Sequence, residues 1–140
     1  MVQKAELHVH LEGTAPPELI QRIAARNDIT LPAPLQQAKY YFEWDDFLHF
    51  LDVYEQASGV IKQPLDYYDI TYEYLKSSAA VGVIYTEMMY SPEHAERSSG
   101  LPSHEHLLAI EDAINNARRD FKIEGRIIMT CVRHYGLDAK

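Results

Sequence analysis

Two histidines one residue apart, His8 and His10 in the string A-E-L-H-V-H-L-E-G-T, have the type and spacing to bind a metal ion. In an extended strand, residues two apart project to the same side. Both imidazoles could then reach one cation at about 2.0–2.1 Å per Zn–N bond. Glu12 continues the pattern with a carboxylate, and Gly13 lets backbone approach closely. The competing reading is a pair of interior histidines, each satisfied by a hydrogen-bond partner, because short motifs recur by accident. His104 and His106 in S-H-E-H share the spacing but fall in the first turn of a helical segment. There two residues turn through about 200°, so the rings diverge, and both are expected on the solvated surface.

The single Cys131 excludes an internal disulfide and a thiolate zinc cage, so any metal site must use His and carboxylates. A formal charge of −8 with 13 dispersed Lys and Arg disfavours nucleic acid as a partner. There is no apolar run of about 18 residues and no charged-then-apolar leader. The chain therefore reads as cytoplasmic, with no membrane span. At 140 residues and 46% apolar content it can supply one core, and no repeat or linker argues for a second domain.

The elements that must position the histidines follow from periodicity. Residues 5–11 alternate, with Leu7, Val9 and Leu11 on one face and Glu6, His8, His10 and Glu12 on the other, which predicts a strand. Thr14 offers a capping hydroxyl ahead of Pro16 and Pro17, and Leu19, Ile20, Ile23 and Ala24 form the stripe of a helix closed by Asn27 and Asp28. After a Pro-broken stretch over 31–37, Asp45 and Asp46 open a second helix that places Phe47, Phe50, Leu51 and Tyr54 on one stripe and ends near Gly59. Pro64 opens a third, with Leu65, Tyr68, Tyr72 and Leu75 as its stripe and Gly82 as a left-handed cap. V-I-Y-T-E-M-M-Y is a strand stopped by Ser91 and Pro92. Ser103 caps a fourth helix carrying Leu107, Ile110, Ile114, Ala117 and Phe121, and R-I-I-M-T-C-V-R-H after Gly125 is a third strand. Strands separated by long helices cannot be hairpins, which predicts an α/β fold with parallel pairing and right-handed crossovers. Three parallel strands leave open edges and an uncovered face, so the chain is expected to be the front section of a longer polypeptide.

A-E-L-H-V-H-L-E-G-T, then F-L-H-F-L-D-V-Y, Y-T-E-M-M-Y-S-P and G-R-I-I-M-T-C-V-R-H, resembles the adenosine and adenine deaminase family in order and spacing over essentially all 140 residues. The resemblance implies a (β/α)8 TIM-type barrel. Residues 1–140 would supply its first three strands and their helices, with a helical insertion over about 14–62. It also implies His8 and His10 as zinc ligands, with the other ligands and the proton-moving groups on later strands, so no catalytic residue is expected within this chain. The implied reaction is hydrolytic deamination of a small-molecule purine nucleoside or base, in which zinc-activated water attacks the carbon bearing the amine and ammonia leaves. Adenosine is the first expectation, and adenine the alternative. The deaminase architecture with H-x-E and P-C-x-x-C does not apply, because its cysteines are absent. A non-catalytic binding or scaffold module is a further reading. Amide- or phosphoester-cleaving relatives with D-x-H-x-H are disfavoured by Glu6 in place of Asp and by the helical insertion.

On the same resemblance, His10 and Glu12 line the substrate site. Glu12 stands where adenosine deaminases commonly carry an Asp against the ribose 5′-hydroxyl. Adenine-specific relatives often carry Glu, whose extra methylene shortens the space for a sugar. A helix cap is the structural alternative for Glu12. Trp44, Phe47, Leu48 and Leu51 match an apolar lid, although the same stripe would serve helix-core packing. Ser91 and Val132 match pocket-lining positions. Glu87 and Met89 share Ser91's side of the strand. Many relatives carry Arg where Met89 stands, so Glu87 needs another cation, for which Arg133 is the candidate; His134 is expected as a structural histidine. Alone, the chain is expected to be catalytically silent, to bind zinc weakly, and to self-associate or need the remaining barrel.

Overall fold

Strands β1 (Lys4–His10), β2 (Val83–Tyr90) and β3 (Glu124–Met129) lie side by side in that order, each parallel to the next, in a computed structural model that describes residues 2–132. Between β1 and β2 come a 3₁₀ turn (Leu11–Thr14) and helices α1 (Pro17–Arg26), α2 (Ala33–Gln37), α3 (Phe47–Ser58) and α4 (Pro64–Ala80). Helices α5 (Pro92–Ser99) and α6 (Ser103–Phe121) link β2 to β3. The predicted α/β order and parallel pairing hold.

Helices α4 and α6 pack on each other and against the sheet. The core there is built from Thr86, Met88 and Tyr90 of β2, Ile70 and Leu75 of α4, and Ile110 and Ile114 of α6, all buried. Gly125 on β3 lets the helices come close: a Cβ there would lie 3.1 Å from Met88 Cε and 3.4 Å from both Ile114 Cγ1 and Leu75 Cδ2. Intrinsic strand preference favours Val over Gly, but overpacking a full core costs about 1–3 kcal/mol. Gly125→Val is therefore expected to destabilise the protein by that amount in urea unfolding; a gain in stability would show that the strand preference wins.

The structure departs from the sequence expectations at several element ends. Thr14 does not cap α1: its hydroxyl donates to the Leu11 carbonyl at 2.7 Å, closing the 3₁₀ turn, and the cap position is Pro16. The stretch expected to be broken by prolines contains α2, because Pro34 lies in its first turn, where a missing N–H costs nothing. Helix α5 was not predicted. Its only buried residue is Ala95, so no apolar stripe marks it, and Gly100 at φ 73° ends it. Ser103 is the first residue of α6 and makes no side-chain cap; the Glu96 carboxylate accepts from its backbone N–H at 2.8 Å instead. On α4 the buried stripe is Tyr67, Ile70, Thr71, Leu75 and Ser78, while Leu65 is half exposed and Tyr68 and Tyr72 half-buried. Thr71 can be buried because its hydroxyl donates back to the Tyr67 carbonyl at 2.6 Å. The capping box of α4 pairs Gln63 with Asp66, and Asp46 caps α3 by accepting from His49 N–H at 2.8 Å.

Candidate functional site

The pairing of β1 with β2 changes step at the histidines. Ala5 sits opposite Tyr85 and Glu6 opposite Thr86, but the next partners are Val9 with Met88 and His10 with Met89. Three residue steps on β1 therefore match two on β2, which is a β-bulge between Glu6 and Val9. It corrects the simple alternation read from the sequence, which put Glu6 beside the histidines. Glu6 instead faces α4, where the Tyr74 hydroxyl donates to its Oε2 at 2.6 Å and lies 2.9 Å from Thr86 Oγ1. His8 and His10 stay together beyond the bulge, with ring centroids 5.7 Å apart and planes at 58°.

Both rings are exposed, and neither is hydrogen-bonded to another described residue. Two free imidazoles on one side of a strand fit a borderline cation such as zinc, which takes histidine nitrogen readily. Among the described residues no group of three or more His, Cys, Asp and Glu converges, so the pair would supply part of a ligand set.

Glu12 follows in the 3₁₀ turn and is 7% exposed. Burial pushes its carboxyl up to about 7, against the opposing pull of its own backbone N–H and of the Tyr67 phenol, which donates to Oε1 at 3.3 Å. Burial, then the Glu12 charge, raises the phenol pKa values of Tyr54, Tyr67 and Tyr90. Glu12 thus answers to a phenol and not, as its structural alternative had it, to a neighbouring helix end. It borders a cavity of about 120 Å³ lined by Gly13, Phe42, Trp44, Phe50 and Tyr54 among others. Gly13 is needed there because a Cβ would lie 2.9 Å from Tyr54 Cε2.

Of the four lid candidates, the structure brings Trp44 to this cavity and leaves Phe47, Leu48 and Leu51 outside it. Phe47 and Leu48 are 70% and 74% exposed, and Leu51 is also exposed. This corrects the predicted stripe of α3: its inner side is Val53 and Ala57, with Phe50 and Tyr54 half-buried. Trp44 meets Phe50 edge-on at 5.0 Å, and Phe50 continues to Tyr54 at 6.1 Å, an aromatic row leading towards Glu12.

Ser91 ends β2 and precedes α5, and its buried Oγ has no hydrogen-bond partner among the described residues. Glu87 accepts from the Tyr85 hydroxyl at 2.9 Å and stands opposite Arg126 in register. Arg133 and His134 lie outside the described residues. Val132 lies beyond the end of β3 and is half-buried. His104 is exposed as expected, but His106 is not: it is fully buried, with Nε2 2.8 Å from Ser99 Oγ and its ring 4.7 Å from that of Tyr67. Burial lowers its pKa. The signal that could have found it is its spacing of four from Ile110, which puts it on the inner stripe of α6.

The adenosine deaminase family model matches residues 3–140. The chain belongs to the adenosine deaminase family. Among curated members of the adenosine deaminase family, the adenine deaminase of Bordetella avium (strain 197N) is 38% identical over 133 residues, covering 94% of this chain and 42% of the relative. That of Chelativorans sp. (strain BNC1) is 38% identical over 139 residues, covering 99% and 42%. An adenine deaminase structure from Arthrobacter aurescens superposes with a TM-score of 0.74 at 34% identity, covering 89% of this chain and 38% of that one. An amidohydrolase from Burkholderia ambifaria with bound Zn superposes with a TM-score of 0.84 at 29% identity, covering 99% and 38%. The chain thus spans about two-fifths of the length of these relatives, and its three parallel strands and helices match the amino-terminal part of a TIM-type barrel.

Proposed function

We propose that residues 1–140 are the amino-terminal part of a single barrel domain in a zinc-dependent aminopurine deaminase, and that its substrate is the free base adenine. Adenosine, the first expectation from the sequence, gives way to adenine because relatives at 38% identity bear that name. The observation that carries the choice within this chain is Glu12: a buried glutamate, tied to Tyr67 and bordering a cavity, whose extra methylene relative to aspartate would shorten the space for a ribose.

In this reading His8 and His10 would hold the zinc, whose chemistry is to acidify water towards neutral pH. The zinc-bound amidohydrolase from Burkholderia ambifaria supports zinc as the cofactor. Glu12 orients the base by hydrogen bonding, and Trp44 and Phe50 offer apolar surface to a purine ring and exclude water. Ser91, whose hydroxyl has no hydrogen-bond partner among the described residues, and Val132 remain proposed pocket residues. No helix of the described residues is long and apolar enough to cross a membrane. A cytoplasmic location is part of the proposal, resting on the single, exposed cysteine.

The test is ammonia release by a complete polypeptide carrying this chain. Adenine is expected to exceed adenosine in kcat/KM, and Glu12→Asp to narrow that gap by roughly tenfold or more, the value of one methylene in a binding pocket. Preference for adenosine in the parent protein would contradict the substrate reading.

A further inference from the structure

We infer that Tyr67 is a positioning residue for substrate recognition: its hydroxyl fixes the Glu12 carboxylate from behind, so that the base is read by a glutamate whose direction is set by α4 and α6. The inference rests on the proposal that Glu12 contacts the substrate. Tyr67 is not among the residues lining the Glu12 cavity. It is 2% exposed, and its ring meets Tyr90 edge-on at 5.5 Å and 90°. On another side it meets His106, which Ser99 Oγ engages at 2.8 Å. A ring confined by two other rings cannot swing, so its hydroxyl has one place to point, and Glu12 Oε1 is 3.3 Å away. Among the described residues it is the one side-chain donor to Glu12; the other pull comes from the turn's own backbone. A glutamate has three side-chain torsions, and the phenol supplies the side-chain hydrogen bond that selects among them for the Glu12 carboxylate.

A buried tyrosine can also be a core aromatic whose hydroxyl merely finds a partner. Tyr67→Phe separates the two roles, because it keeps the ring and its packing and deletes only the donor. In the complete enzyme, Tyr67→Phe is expected to raise KM for adenine by about tenfold while kcat stays within about twofold, the signature of lost binding common to ground and transition states. Tyr74→Phe removes a hydroxyl from the same helix that bonds Glu6 and Thr86, and is expected to leave KM unchanged. In a Glu12→Ala background, Tyr67→Phe is expected to add no further change in KM, since the two residues act as one unit.

If Glu12→Ala leaves KM at the parental value, the substrate role of Glu12 fails and the inference falls with it. If Glu12→Ala raises KM while Tyr67→Phe does not, the role of Glu12 stands and the inference alone is overturned. It is likewise overturned if Tyr67→Phe multiplies the effect of Glu12→Ala, or if Tyr74→Phe raises KM equally.

Discussion

His8→Ala in a complete polypeptide is expected to lower adenine turnover by more than about 100-fold, measured as ammonia released at saturating substrate. Loss of a group that only supports a metal ligand already costs up to about that factor, and on the proposed reading His8 is itself a ligand. The geometry behind the expectation is specific. His8 and His10 are exposed, their ring centroids are 5.7 Å apart, and no described residue holds either ring by a hydrogen bond. Removing one imidazole leaves the ligand set one nitrogen short for an ion that prefers four ligands. His104→Ala is the matched control, because His104 is exposed on a helix and far along the chain from the pair. Parental turnover in His8→Ala would remove the histidine pair from the chemistry.

Asp66→Ala is expected to produce the largest loss of stability, about 3 kcal/mol or more, read from the urea midpoint at neutral pH. Asp66 is fully buried at the start of α4. Its Oδ1 accepts from Arg26 Nη1 at 2.7 Å, and its Oδ2 accepts from Asn27 Nδ2 at 2.7 Å and from the backbone N–H groups of Lys62 and Gln63 at 2.9 and 3.1 Å. Alanine would take an acceptor from all four donors and leave the Lys62 and Gln63 N–H groups without theirs, while Asn27 Nδ2 keeps the Val60 carbonyl at 2.8 Å; an unsatisfied buried donor costs about 1–3 kcal/mol unless water reaches it. Arg26 keeps Asp69 at 2.6 Å and is partly exposed, which holds the expected loss towards the lower end for a broken buried pair. The exposed Lys76–Glu73 pair at 3.3 Å sets the contrast, since Glu73→Ala should change stability by less than about 1 kcal/mol. A loss that small in Asp66→Ala would mean that the cluster does not hold α1 to α4. Because Tyr67 is the next residue, the same cluster also anchors the turn that aims its phenol at Glu12.

The parts of this molecule legible in the sequence are those set by local periodicity. Leu19, Ile20, Ile23 and Ala24 announce α1, and Ile110, Ile114 and Ala117 announce α6, because one-sided burial leaves a helical repeat. The shared side of His8 and His10 was legible for the same reason, since a strand repeats every two residues. What escaped depends on neighbours distant in sequence. The bulge that turns Glu6 towards Tyr74 arises from the pairing of β1 with β2, and nothing in K-A-E-L-H-V-H marks it. His106 reads as a surface residue until Ser99 is brought to it by the turn after α5. Stripe counting misses the inner face of α4 because Thr71 and Ser78 are polar. Glu12 was legible as a candidate by its place after the histidines, but its burial against Tyr67, 55 residues away, is a tertiary fact.

On the proposed reading the two imidazoles at the end of β1 share one cation. Zinc content after exhaustive dialysis tests it most directly, comparing the complete parent polypeptide with a folded His8→Ala/His10→Ala double variant. Stoichiometric zinc is expected in the parent and none in the variant. Equal zinc in both would contradict it.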